Sequence, residues 1–322
     1  PNFTLLLKQL IIRLFNYILT LALIVGISAF SFSSLPSPVV KCVSVLTNGN
    51  IEITWDKVND PGGIFNSYTI YDVTGGSPTL ISTIGNINQT NYTHTGINGH
   101  NSSFRYIIGT TCSSSVTNFS DTIASIKLTV NNPGNGLAIL NWNKIFSPNN
   151  SPTASNWYKI YQEYPTGTWT FIDSVPYGTQ YYRDTITICD DSVNYRVSNT
   201  NGSCQSFSSI DGSNFKDVLP PKQPVIKNVS VDTNNNLATI SWHKGFPLDT
   251  KAYIILKFIS GSWVPIDTVY GINNTTYTNP TSIAGNESEC YGVAAFDSCW
   301  YGTPLSPNTS AMSSSHCSIL LE

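Results

Sequence analysis

The sequence predicts an all-β chain of three tandem antiparallel sandwiches behind an apolar N-terminal segment. Three observations carry this. A pattern of aromatic and aliphatic landmarks recurs three times along the 322 residues. Within each copy the strand segments alternate apolar and polar residues with period two. No segment after residue 35 sustains a helical period.

Each copy opens with a strand, 51–55, 138–142 or 238–242, that ends in Trp55, Trp142 or Trp242. Alternation puts Ile51, Ile53 and Trp55 on one face and Glu52 and Thr54 on the other, so one face is buried and one is wet. A Tyr-x-Ile segment follows: Tyr68 with Ile70, Tyr158 with Ile160, Tyr253 with Ile255. Next comes an Ile, a hydroxyl or acidic pair and an aliphatic residue, at 81–84, 172–175 and 266–269. Tyr92, Tyr182 and Tyr277 stand in Thr- and Asn-rich surroundings. The last landmark is Tyr-x-[Ile/Val]: Tyr106 with Ile108, Tyr195 with Val197, Tyr291 with Val293.

The spacings hold across copies. From the first Tyr to the Ile they are 13, 14 and 13 residues, from there to the next Tyr 11, 10 and 11, and on to the last Tyr 14, 13 and 14. Turn residues fill the gaps between the first two strands: Asn48-Gly49, Pro133-Gly134-Asn135-Gly136 and Asn234-Asn235-Asn236. Short strands in units of roughly 90–100 residues read as sandwiches. The repeats are bounded at 36–123, 124–220 and 221–314. Residues 315–322 read as the first strand of a truncated fourth repeat, and a start at Pro1 rather than Met points to a piece of a longer reading frame.

A Trp in the second strand, Tyr-x-Ile in the third and Tyr-x-Val in the sixth resemble fibronectin type III modules, over about residues 36–315. The resemblance implies tandem immunoglobulin-like (fibronectin type III) β-sandwiches after an N-terminal signal or anchor helix. The Ile-Asp-[Ser/Thr]-Val strand, the Thr-x-Tyr segment and Tyr291-Gly-Val-Ala-Ala-Phe-Asp-Ser-Cys299 are similar to repeats of Bacteroidetes surface proteins of the gliding motility-associated, type IX-secreted class. That resemblance implies a cell-surface or secreted protein. The C-terminal sorting domain of that class is not in this sequence.

Residues 1–35 have the order of a signal peptide, with Lys8 and Arg13 ahead of an apolar run from Leu14 to Phe30 and then small residues. The run is also near the lower limit for an uncleaved membrane anchor. Elsewhere the chain is poor in charge: 11% of residues are charged and the net charge is −3. Asn, Ser and Thr make the surface polar instead. No basic face exists for nucleic acid. The membrane is a partner only through the N-terminal segment before cleavage.

The seven cysteines fall two per repeat, with Cys317 left over. Behind an export signal this reads as disulfides, with Cys42 and Cys112, Cys189 and Cys204, and Cys290 and Cys299 as the within-repeat candidates and Cys317 unpaired; seven cysteines allow many other pairings. Buried thiols are the alternative. Zinc would need closely spaced cysteine pairs, and there are none.

No cofactor or metal site is expected. His94, His100, His243 and His316 form no metal-protease pattern and read as surface residues. Asp190-Asp191 reads as a solvated turn rather than a calcium loop. Asp173 and Asp267 share a strand position, which reads as architecture rather than an acid/base pair. Trp169 and Trp263 also match in position. Each either stacks on a sugar ring or covers a sheet edge. The expected function is a non-catalytic spacer or adhesion stalk whose partner is a surface protein or glycan. The alternatives are a binding array and the accessory region of a secreted hydrolase.

Overall fold

The computed structural model describes residues 34–113, 117–146, 152–245, 249–299 and 308–319, with Lys8, Ile12 and Arg13 in addition. Nearly all of the expected signal or anchor segment therefore lies outside the described residues. Among the described residues no helix is long and apolar enough to cross a membrane.

The first repeat contributes β1 (Val40–Val45), β2 (Ile51–Trp55), β3 (Phe65–Asp72), β4 (Thr79–Ile84), β5 (Asn91–His94), β6 (Arg105–Cys112), β7 (Thr117–Phe119) and β8 (Ile123–Ala124). The second contributes β9 (Leu128–Asn131), β10 (Leu137–Trp142), β11 (Trp157–Glu163), β12 (Trp169–Pro176), β13 (Tyr181–Thr185), β14 (Asp191–Asn201), β15 (Cys204–Phe207) and β16 (Asp211–Phe215). The third contributes β17 (Ile226–Val231), β18 (Ala238–Trp242), β19 (Thr250–Ile259), β20 (Ser262–Tyr270), β21 (Thr276–Thr278), β22 (Cys290–Asp297) and β23 (His316–Cys317).

Sheet order repeats with the sequence. Three-stranded sheets run β1-β2-β5, β9-β10-β13 and β17-β18-β21. Larger sheets run β4-β3-β6-β7, β12-β11-β14-β15 and β20-β19-β22-β23. Each fourth strand joins the larger sheet by pairing with the third. In the third repeat, Ile226, Ala238, Ile240 and Trp242 of the smaller sheet share one buried cluster with Tyr253, Ile255, Tyr291, Val293 and Ala295 of the larger. Two inner faces meeting in one core make a sandwich. The fold is a tandem array of immunoglobulin-like, fibronectin type III β-sandwiches.

The landmark positions explain this packing. Trp55 meets Tyr68 edge to face at 5.4 Å, Trp142 meets Tyr158 at 5.7 Å, and Trp242 meets Tyr253 at 5.2 Å. Aromatic pairs prefer this arrangement because the positive ring edge faces the negative ring face. The Tyr hydroxyls then pin loops. Tyr68 accepts from the Val58 amide and donates to the Ile87 carbonyl. Tyr253 accepts from Gly245 and donates to Ile272. In the second repeat Tyr158 accepts from Ile145 and stacks on Tyr177, whose hydroxyl donates to Phe146.

A register shift follows the Tyr-x-Ile strand in every copy, after Ile70, Ile160 and Ile255. The residues opposite are Ser82, Asp173 and Asp267. Asp173 and Asp267, each next to the residue skipped at the bulge, accept from the following residue's amide. Tyr182 bonds Asp173, and Tyr277 bonds Asp267. Burial, with Asp184 and Asp173 beside Tyr182 and Asp267 beside Tyr277, pushes both phenols up to about 12.

By backbone proximity the chain divides into two compact units. One is Pro1–Val40 with Thr54–Asn91 and Arg105–Thr122, and the other is Lys41–Ile53 with Tyr92–Phe104 and Ile123–Glu322. Most of β1, β2 and β5 therefore belongs with the second and third repeats. The reason lies within the second unit, where β1 is held to β15. The Val43 amide donates to Ser206 Oγ, Ser44 Oγ donates to the Gln205 carbonyl, and the Phe207 amide donates back to Ser44 Oγ. Nearby, His100 Nδ1 accepts from the Ile210 amide, and its Nε2 lies 3.2 Å from the Thr47 carbonyl. His100 is therefore half-buried and structural rather than a surface residue.

Candidate functional site

Three disulfides are the most distinctive feature, and their pairing corrects the within-repeat expectation. Cys42 is joined to Cys204, Cys189 to Cys299 and Cys290 to Cys317. Cys112 is buried at the end of β6. Strand geometry gives the physical reason. Cys189 precedes the start of β14, whereas Cys204 pairs opposite Asn201 at its far end. An extended strand of that length holds its ends roughly 35–40 Å apart, far beyond the reach of a disulfide. Cys290 and Cys299 fail for the same reason, since Cys290 opens β22 and Cys299 follows its far end.

Cys317, expected to be unpaired, lies opposite Cys290 because β23 pairs with β22. The described part of the tail expected to open a fourth repeat thus lies on the edge of the third repeat's larger sheet.

Trp55, Trp142, Trp242, Tyr68, Tyr158, Tyr253, Tyr106, Tyr195 and Tyr291 are all buried. Two of the last-landmark tyrosines carry acidic partners that sequence reading missed. Tyr195 donates to Asp184, to which Gln162 also donates. Tyr291 donates to Glu289, which also accepts from Ser282 and the Ile283 amide and pairs with Lys257. Burial works against ionising Glu289. The Ile283 amide, Lys257, Ser282 and Tyr291 outweigh it and hold the carboxyl down at about 2. Burial dominates at Asp184, which is raised.

Serine hydroxyls complete the same strands. Ile108 bonds Ser120, Val197 bonds Ser208 and Val293 bonds Ser313, each amide donating to the serine Oγ while the serine amide donates back to the carbonyl. The high serine content thus has a structural use. No spacing signal marks these three serines among so many.

Trp169 and Trp263 are not equivalent. The Arg196 guanidinium lies 4.3 Å from the Trp169 ring centre and 4.3 Å from that of Phe207. That cation–π contact covers one face of Trp169. Trp263 packs against Phe258 at 5.3 Å on an exposed stretch of sheet. Asp190 accepts from Asn214 at the surface.

No family model and no curated protein matches the chain. Solved structures do match. The chain is similar to the FN1–FN3 domains of chicken CNTN1, with 14% identity over 89% of this chain and 98% of that one and a TM-score of 0.27. It is similar to the central fibronectin-III array of RIM-binding protein, with 13% identity, coverage of 90% and 99% and a TM-score of 0.25. It is also similar to the chicken interferon gamma receptor alpha chain, with 17% identity, coverage of 60% and 96% and a TM-score of 0.33.

Proposed function

We propose that this chain is a non-catalytic, extracellular spacer: a secreted or cell-surface stalk that carries tension. One observation carries the reading. The disulfide loops 42–204, 189–299 and 290–317 overlap in sequence, each with the next. A covalent path from Cys42 to Cys317 therefore needs only the two overlaps, 189–204 and 290–299. Pulled to full extension, that path is about 25 residues, or about 90 Å, against about 275 residues and roughly 950 Å without the bridges. Such bonds persist in oxidising surroundings, which supports export. The adhesive, gliding-associated setting is supported by the resemblance of the repeat motifs.

Single-molecule pulling tests the reading. The oxidised chain should yield no more than about 100 Å between Cys42 and Cys317, and reductant should release roughly 850 Å more. Equal extensions before and after reduction would refute a load-bearing role.

A further inference from the structure

Three carboxylates meet where the segment after β16 passes the third repeat. Asp217 follows β16, Asp249 precedes β19 and Asp297 ends β22. Antiparallel pairing sets Thr250 opposite Asp297, which brings Asp249 beside Asp297. Asp217 is 1% exposed and Asp297 is 0%. Ligand atoms of Asp217, Asp297 and Cys299 lie within 4.8 Å of one another. The Cys299 sulfur is committed to Cys189, so it is no thiolate donor. The Asp249 carboxyl lies against that of Asp217 and beside Asp297, which makes it the candidate third oxygen donor.

The polar partners leave room for a cation. Asp217 Oδ1 accepts from the Leu219 amide at 2.9 Å. Asp297 Oδ1 accepts from the Cys299 amide at 2.8 Å, and its Oδ2 accepts from Asn308 Nδ2 at 2.8 Å. Asp217 Oδ2 and Asp249 Oδ1 are buried and no amide or hydroxyl donates to them, and the two carboxyl groups lie within hydrogen-bond reach of each other. The charges acting on the three are one another's: Asp249 on Asp217, Asp297 on Asp249, Asp217 on Asp297. Burial first, then these neighbours, raises all three carboxyls above the usual range. Converging buried carboxylates are costly unless a cation or a shared proton neutralises them.

We propose that Asp217, Asp249 and Asp297 bind a hard divalent cation of the calcium class, which fixes the junction between the second and third repeats. An all-oxygen set without His or thiolate selects hard cations over zinc or copper. Donors drawn from three separate segments suit the loose geometry of calcium better than the strict octahedron of magnesium. Three carboxylates place the affinity in the range of extracellular modules, about 10⁻⁴–10⁻³ M. The Cys189–Cys299 disulfide crosses at the same place, so the cation would lock a joint that is already covalently closed.

The test is thermal unfolding of the full oxidised chain, first treated with chelator, then titrated with calcium chloride or magnesium chloride. Calcium at about 10 mM should raise Tm by about 3–8 °C, with magnesium doing less. Asp217→Asn and Asp249→Asn should each remove the calcium shift while raising Tm in chelator, because one buried charge is gone. Asp191→Asn, in the exposed acidic pair, should respond as the wild type does. No calcium shift in the wild type overturns the proposal. If calcium still raises the Tm of the Asn variants as much as that of the wild type, the ion acts elsewhere, and the proposal fails.

Discussion

Replacing Cys189 and Cys299 together by Ser is expected to cost the folded chain about 4–5 kcal/mol, measured by urea unfolding as a lowered midpoint, with a steeper slope because the unfolded chain loses a cross-link. The bond spans 110 residues, and closing a loop of about that length removes roughly 4.7 kcal/mol of chain entropy from the unfolded state. The pair also ties the segment before β14 to the end of β22, so its loss removes a covalent link between the second and third repeats. A midpoint shift worth less than about 1 kcal/mol would mean that this bond does not close that loop.

The second large effect concerns Glu289. Glu289→Gln keeps the shape and removes the charge that Lys257, Ser282, Tyr291 and the Ile283 amide are arranged around. The side chain is nearly fully buried, so solvent does little to screen these contacts. The folded carboxyl sits at about 2, below its ordinary 4.5. A depressed folded value means that Glu289 contributes its full stability above pH 4.5. That contribution is lost as pH falls through about 2. The shift corresponds to about 3 kcal/mol. The wild type should therefore exceed the variant by about that much at neutral pH, and the gap should close as the pH approaches 2. Urea midpoints of both chains at several pH values decide it. A gap that does not change with pH would show that the carboxylate's charge is not what stabilises this corner.

The core was legible in the sequence because it is local. Ile51, Ile53 and Trp55 alternate, and alternation alone assigns them to the buried face. The shared position of Asp173 and Asp267 was legible as architecture, and both adjoin the same bulge of the larger sheet. The disulfides were not legible. Cys189 and Cys204 are near neighbours in sequence, yet β14 is a rigid extended strand that keeps them at opposite ends. Sequence distance along a strand is spatial distance, whereas a partner such as Cys299 comes close only through the packing of a later repeat. Glu289 and the three junction carboxylates were missed for a related reason. A single acid near a Tyr, or acids 32 and 48 residues apart along the chain, carry no periodic signal. Their meaning comes from burial, and burial at a junction between repeats is set by tertiary contacts.

The central claim is that the cysteines form one covalent ladder rather than separate staples. Peptide mapping of the exported chain under non-reducing conditions tests it most directly. The ladder predicts three linked peptides: Cys42 with Cys204, Cys189 with Cys299, and Cys290 with Cys317. Recovery of Cys189 linked to Cys204, and of Cys290 linked to Cys299, would contradict it.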